Sequence, residues 1–393
     1  MNPTSQGHAD IQSFSLVRDD LLFHLQRRVG LIPPAGLGIG RRALFYSMLG
    51  WLPLVVWAWG TGRMLPGGPG EPLLGHYGVH VRCLVAIPLM VFGEALAQRM
   101  VPLCFAQFVR TGIVGEALVP RFREVIAGGM RLRDRAYPWV VIGGLVVVWT
   151  TTVLMAPNPD EIAWAGDRSA RTFGAWWLLL VVRPLFSVLL LAWVWRLVLA
   201  SVVLVRIARL PLRLVPSHPD RVGGLGFLAR LPAVFGPFTL AVSSVVAASW
   251  AHLVEYHDVP VPSLYVQMVL LALVLIVLVA MPLLCFTPSL LRLKREAMLD
   301  YGVLLSEHGR KVQRRWLAGE AGLDDDAMLN ANELGATADT QTLYESVTRI
   351  RPVILNKGVL LAIAVPAALP MLLLVAGQFP VKETLLKLLT VLL

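Results

Sequence analysis

Between residues 173 and 205 the chain reads FGAWWLLLVVRPLFSVLLLAWVWRLVLASVVLV, with Arg183 and Arg196 as its only charged positions. A helix crosses a hydrocarbon core of roughly 30 Å with about 20 apolar residues at 1.5 Å each, so this run is longer than one crossing. Without water to satisfy free backbone groups, a run of this kind folds as a helix in a bilayer. The expectation is a helix that spans from near Phe173 to near Trp195 and continues into the aqueous side, where Arg196, Arg206, Arg209 and Arg213 follow. After it comes PSHPDRVGGLGFLAR, residues 216–230, in which His218, Pro219 and Asp220 open a turn and Gly223, Gly224 and Gly226 loosen the backbone.

The rest of the chain is in keeping with that run. Hydrophobic residues make up 56% and charged residues 15%, against about 25% charged in soluble domains. The net charge of +10 comes from arginines that flank apolar runs, a pattern of membrane orientation and not of nucleic-acid binding. Cys83, Cys104 and Cys285 lie in or beside apolar segments without CxxC spacing, so they read as small core residues. The first apolar run begins only near Ala43 after a charged stretch, so no cleavable leader is expected and the first helix directs insertion.

Hydropathy predicts seven spans, at about 43–60, 81–103, 138–156, 173–195, 233–254, 264–287 and 358–379. The class is therefore all-α: a polytopic membrane protein with long cytoplasmic helical extensions. Arg27, Arg28, Arg41 and Arg42 precede the first span, six arginines lie between the second and third, and Arg292, Lys294 and Arg295 follow the sixth. The alternate connections are acidic or arginine-poor, which by the positive-inside rule expects a cytoplasmic N-terminus and an outer C-terminus. Four regions follow: a cytoplasmic segment 1–42, a six-span bundle 43–288, a cytoplasmic helical segment 289–357, and a seventh span with interfacial tail 358–393. Residues 10–29 carry apolar positions at helical spacing, as an amphipathic helix does. Residues 289–318 continue the sixth span, with Trp316 among the groups that can pack. Asp324, Asp325 and Asp326 mark a turn, a shorter helix is expected near 340–351 with Thr342 and Glu345 at capping-box spacing, and residues 384–393 form a leucine-rich interfacial stretch.

Charges inside spans cost near 3 kcal/mol at mid-membrane and are candidates for function. Glu94 in the second span and Arg183 in the fourth are expected at similar depth, either as a buried ion pair that fixes packing or as the lining of a water-filled path. Arg99 and Arg196, nearer the surface, are expected to snorkel. Pro366 and Pro370 in the last span, within VPAALP, suit a pore wall or a hinge, and Pro88, Pro184 and Pro282 interrupt other spans. His218 and Asp220, with Gly223 and Gly224, read as a coupling turn between helices in which Ser217 or Asp220 caps, more than as an acid/base dyad. His252, Glu255, His257 and Asp258 in HLVEYHD carry groups that bind divalent cations, but read as a solvated loop. No P-loop, GxSxG or HExxH is present, and the GxGxG at 36–40 follows no strand, so no catalytic residue, metal or cofactor is expected and the chain reads as a non-enzyme. Trp51, Trp57, Trp59, Trp139, Trp176, Trp177, Trp193, Trp195 and Trp250 read as interfacial belts.

LQRRVGLIPPAGLGIGRRAL (25–44), SHPDRVGGLGFL (217–228) and ADTQTLYESVTRIRPV (338–353) resemble a family of uncharacterised bacterial multi-pass membrane proteins. That resemblance implies the inner membrane of a bacterium and carries no activity. In topology alone the chain is similar to the insect chemoreceptor channels, which implies a homo-oligomer, there a tetramer, with the last span around a central pore. The stretch after Phe379 departs from that plan. The functional expectation is a homo-oligomeric channel or facilitator for ions or small solutes in contact with the lipid bilayer. The other is a non-conducting scaffold or sensor that binds a partner through its cytoplasmic helices.

Overall fold

The computed structural model describes residues 26–28, 30–33, 38–67, 71–165, 172–314 and 332–377. The amphipathic stretch 10–29, save 26–28, lies outside them, as do Trp316, the turn at Asp324–Asp326 and the leucine-rich stretch 384–393. Every regular element among the described residues is helical. Helix α1 spans Ile39–Gly60 and α2 spans Tyr77–Arg110. Helices α3 (Val119–Arg133) and α4 (Tyr137–Met155) follow, then α5 (Phe173–Ala208) and α6 (Gly236–Tyr256). Helices α7 (Tyr265–Ala280), α8 (Thr287–Val312), α9 (Asn332–Thr348) and α10 (Lys357–Ala376) complete the order. Among the described residues, seven segments are long and apolar enough to cross a membrane, and they contain α1, α2, α4, α5, α6, α7 and α10. The protein is thus a polytopic membrane protein.

The spans differ in how much of themselves they bury, and this sets the layout. In the segment containing α6, 72% of the most apolar window is buried, whereas α4 and α10 bury 17% and 22%, so α6 is central and the other two are peripheral. Their exposed faces are aliphatic, with Val140, Val147 and Val148 on α4 and Leu361, Val365, Leu372 and Leu373 on α10. In water such surface would be a liability; against acyl chains it is the required solvent-facing side.

Two of the predicted proline interruptions have a specific form. Pro88 and Pro184 each sit just beyond a π-helical turn, Val81–Ala86 in α2 and Leu178–Val182 in α5. A proline has no N–H for the carbonyl four residues back, and a widened turn absorbs the mismatch. Pro282 falls in the 3₁₀ turn Met281–Phe286 between α7 and α8.

Past the spans, the ends of α2 and α5 join α3 and the start of α8 in one packed layer at the arginine-rich end. Phe108 is its centre, with ring centroids of Phe227, Phe122 and Phe286 at 4.9, 5.7 and 6.3 Å. Helix α8 runs on from there and packs with α9 around Ala297, Val347 and Ile350. Helix α9 begins earlier than the spacing of Thr342 and Glu345 suggested. Thr342 is therefore an interior residue whose hydroxyl donates to Ala338 O at 2.9 Å, not a cap.

Candidate functional site

The interface of α2 and α5 carries two clusters of the same composition at two levels. At the deeper level Glu94 accepts Arg196 Nη2 at Oε1, at 2.8 Å, and meets Arg42 Nη2 of α1 at Oε2, at 2.6 Å. These side chains are 1–3% exposed, which is full burial for three charges. The guanidinium of Arg196 also lies 5.2 Å from the Trp193 ring centroid. Trp193 is itself buried, with its indole N–H donating to Met90 O at 3.0 Å.

At the other level the carboxylate is Glu161, from the short turn Pro159–Ile162 that Asn158 caps through Asp160 N. Arg82 Nη1 meets Glu161 Oε1 at 2.7 Å; Arg183 Nη2 meets Oε2 at 2.5 Å and its Nε donates to Oε1 at 3.0 Å. Both arginines stand at the π turns, Arg82 inside one and Arg183 directly after the other. Burial works against ionisation of Glu161, but the charges and hydrogen bonds of Arg82 and Arg183 outweigh it and hold the carboxyl below its ordinary range.

The expected pairing of Glu94 with Arg183 is therefore corrected. Helix α2 starts at Tyr77 and α5 at Phe173, so Glu94 lies 17 residues in and Arg183 only 10. Those starts are not at one level, because Arg82, 5 residues into α2, and Arg183 hold the same carboxylate. Glu94 lies 12 residues beyond Arg82, about 18 Å, and Arg196 lies 13 beyond Arg183, at the level of Glu94. Arg196 does not snorkel, whereas Arg99 is exposed as expected. Trp193 likewise leaves the interfacial belt for the core.

The level of Glu161 opens onto a cavity of about 340 Å³ between α2, α5 and α6, whose lining includes Arg82, Arg183, Asp160, Ser249, His76 and His252. His76 and His252 are 4% and 8% exposed, so the HLVEYHD segment is not wholly a solvated loop. Helix α6 runs on to Tyr256 and carries His252 inward; Glu255, His257 and Asp258 remain exposed. His76 and His252 have ring centroids 4.6 Å apart, and Tyr256 stacks on His252 at 4.7 Å. Gly75 permits this, because the Tyr256 hydroxyl occupies the place where a Cβ would stand. Glu71 Oε2 lies 2.7 Å from His76 Nε2 and 3.8 Å from His252 Nε2, so among the described residues these three form a group able to hold a metal ion. Burial and the neighbouring imidazoles of His252 and His80 depress the His76 pKa to about 3, so its ring is neutral at physiological pH despite the carboxylate beside it. The pattern of Glu71 and His76 is present in the sequence but carries no recognisable spacing with His252, which comes from another helix.

The remaining predicted residues lie elsewhere. Pro366 and Pro370 are partly buried on α10, whose inward face is Val359, Ile363, Ala367 and Met371. A polar tie there is Ser243 of α6 donating to Ala367 O. At the arginine-rich end, Asp220 accepts backbone N–H groups of Val222, Gly224 and Gly226 at 3.0, 3.1 and 2.8 Å, and its Oδ1 lies 2.8 Å from His218 Nδ1. Burial opposes its ionisation; the three amides and His218 prevail and lower its pKa. Gly223 and Gly224 have φ of 66° and 93°, which favours glycine. The turn is tied to the segment after α9 by Arg351 N donating to Arg221 O at 2.8 Å. No protein-family model, curated protein or solved structure matches the chain, so what stands of the two resemblances is a multi-helix protein with seven candidate membrane spans.

Proposed function

We propose that this protein is a homo-oligomeric channel or facilitator for small ions or solutes, not an enzyme, with its N-terminus cytoplasmic in a bacterial inner membrane. The observation that carries the reading is the cavity of about 340 Å³ walled by Arg82, Glu161 and Arg183. The second charged cluster, at Glu94, lies 12 residues further along the same helix, about 18 Å. Charges at two depths of one helix pair support a solute path, because apolar groups could pack the same interface without the cost of burying charge. Between the two levels Met90, Val91, Leu189 and Trp193 close the interface, so the reading is of a gated path in its closed form. The path elements are thereby Arg82, Arg183 and Glu94 on α2 and α5. The last span, with its aliphatic outer face, supports contact with lipid or with a second copy. Purified protein in liposomes tests the proposal: flux of at least one class of monovalent ion or small solute is expected, and its absence across voltage and pH would overturn it.

A specific observation favours a second reading. On the pair α8 and α9, Leu299, Val303, Leu304 and Leu343 are exposed at the arginine-rich end. Such a surface suits a scaffold or sensor that holds a partner there. Stoichiometric co-purification of one soluble protein, together with no flux, would favour it over transport.

A further inference from the structure

We propose that Glu71, His76 and His252 form a binding site for one divalent transition-metal ion of the zinc class, with an open position toward the cavity between α2, α5 and α6. The donor atoms of all three lie within 4.8 Å of one another. In tetrahedral zinc, ligands at about 2.0–2.2 Å stand roughly 3.3 Å apart. The observed separations from Glu71 Oε2, 2.7 Å to His76 Nε2 and 3.8 Å to His252 Nε2, bracket that value, so the carboxylate already stands at ligand spacing from both imidazoles.

Burial argues that the cluster is built and not incidental. Neither ring nitrogen of His252 has a hydrogen-bond partner among the described residues, although the side chain is nine-tenths buried. A buried polar group without a partner costs about 1–3 kcal/mol, and ligation removes that cost. The ring is held in place from both sides, by Tyr256 at 4.7 Å and His76 at 4.6 Å.

The spacing His76-Tyr-Gly-Val-His80 would suggest His80 as a further ligand, and its own bonds rule it out. Trp51 Nε1 donates to His80 Nδ1 at 2.9 Å, which leaves Nε2–H to donate to Leu73 O at 3.0 Å. His80 therefore anchors the backbone that presents His76. His257 lies beyond the set, 3.5 Å from Asp160 Oδ1. Two imidazoles and one carboxylate are a donor set that zinc accepts with its fourth position left for water or another small ligand. Because His76 and His252 line the cavity, a ligand at that position would come from it.

The proposal goes beyond transport, since it requires binding and no flux. Full-length protein in detergent, stripped with chelator, is titrated with zinc chloride by calorimetry, and the bound metal is counted by elemental analysis. One ion per protomer is expected. Partners outside the ligand shell alone are worth about 10–100-fold in affinity, so His76→Ala or His252→Ala should weaken binding at least about 100-fold. His308→Ala, on α8 at the other end, should bind as the wild type does. Cobalt(II) added to the stripped wild type should give the intense visible absorption of a four-coordinate site, reduced in Glu71→Gln. Because an alanine variant can misfold, His252→Gln is measured beside it and both are checked by size exclusion. No stoichiometric zinc on the wild type, or equal zinc on the wild type and a folded His252→Gln, would overturn the site.

Discussion

Arg196 Nη2 donates to Glu94 Oε1 at 2.8 Å across 102 positions of sequence, and this bond fastens α5 to α2 in the interior of the bundle. With Arg42 on the second oxygen, two positive charges share one negative charge at a site closed to solvent. The arrangement is therefore asymmetric in what its loss would do.

Glu94→Gln leaves two buried guanidiniums without an anion, and breaking a buried pair in this way costs about 3–5 kcal/mol. Arg196→Leu instead leaves the balanced pair Arg42–Glu94 and should cost less. Thermal unfolding of both variants in detergent checks this order, and a Glu94→Gln protein as stable as Arg196→Leu would show that the cluster is more hydrated than its burial implies.

Helices α2 and α5 meet as closely as they do because residue 93 is glycine. A Cβ on Gly93 would stand 2.6 Å from Trp193 Cζ2 and 3.3 Å from Pro237 Cβ, neither of which can turn aside. Gly93→Ala should destabilise by about 1–3 kcal/mol, as overpacking does. Thermal unfolding of Gly93→Ala beside the wild type in detergent checks this, and an unchanged Tm would show that Trp193 gives way.

The seven spans were legible because hydropathy depends on local composition alone, and α5 with its extension could be read from the length of one run. What was hidden depends on facing and on depth. Helix α5 is apolar on all sides, so nothing in its periodicity distinguished buried Arg196 and Trp193 from surface residues. The depth of Glu94 depended on how the starts of α2 and α5 are offset, which composition does not record: Arg82, 5 residues into α2, stands level with Arg183, 10 residues into α5. Glu71, His76 and His252 come together only through tertiary packing. The turn at Asp220 was the reverse case: the residue types that accept amides and adopt positive φ are written next to one another, so its local capping could be anticipated.

Asp220 makes that turn depend on pH in a calculable direction. Its folded pKa is depressed, so its contribution is fully present above the ordinary aspartate value of about 3.9 and is lost as pH falls through the lower folded value. Asp220→Asn keeps one acceptor oxygen for three amides and should lose about 1–3 kcal/mol at neutral pH. The difference in Tm between wild type and variant should shrink below about pH 4. A gap that stays constant to pH 3 would mean that the charge of Asp220 is not what holds the amides.

Glu161 offers the most direct test of whether the cavity lies on a path. It is the carboxylate between Arg82 and Arg183, and both guanidiniums face the same space. Its lowered pKa keeps it ionised from neutral pH down toward the ordinary glutamate value near 4.3, so Glu161 itself should contribute no pH dependence to selectivity between about pH 7 and 5. Glu161→Gln adds one net positive charge to the wall. A unit charge about 8 Å from a passing ion is worth about 2 kcal/mol at an effective dielectric of 20, and salt reduces that. The ratio of anion to cation permeability should therefore rise about threefold to tenfold, read as a shift in reversal potential in liposomes under a salt gradient. Arg82→Gln should shift it the opposite way. If both variants conduct with the wild-type ratio, the cavity is off the path and the charges at this level serve packing alone.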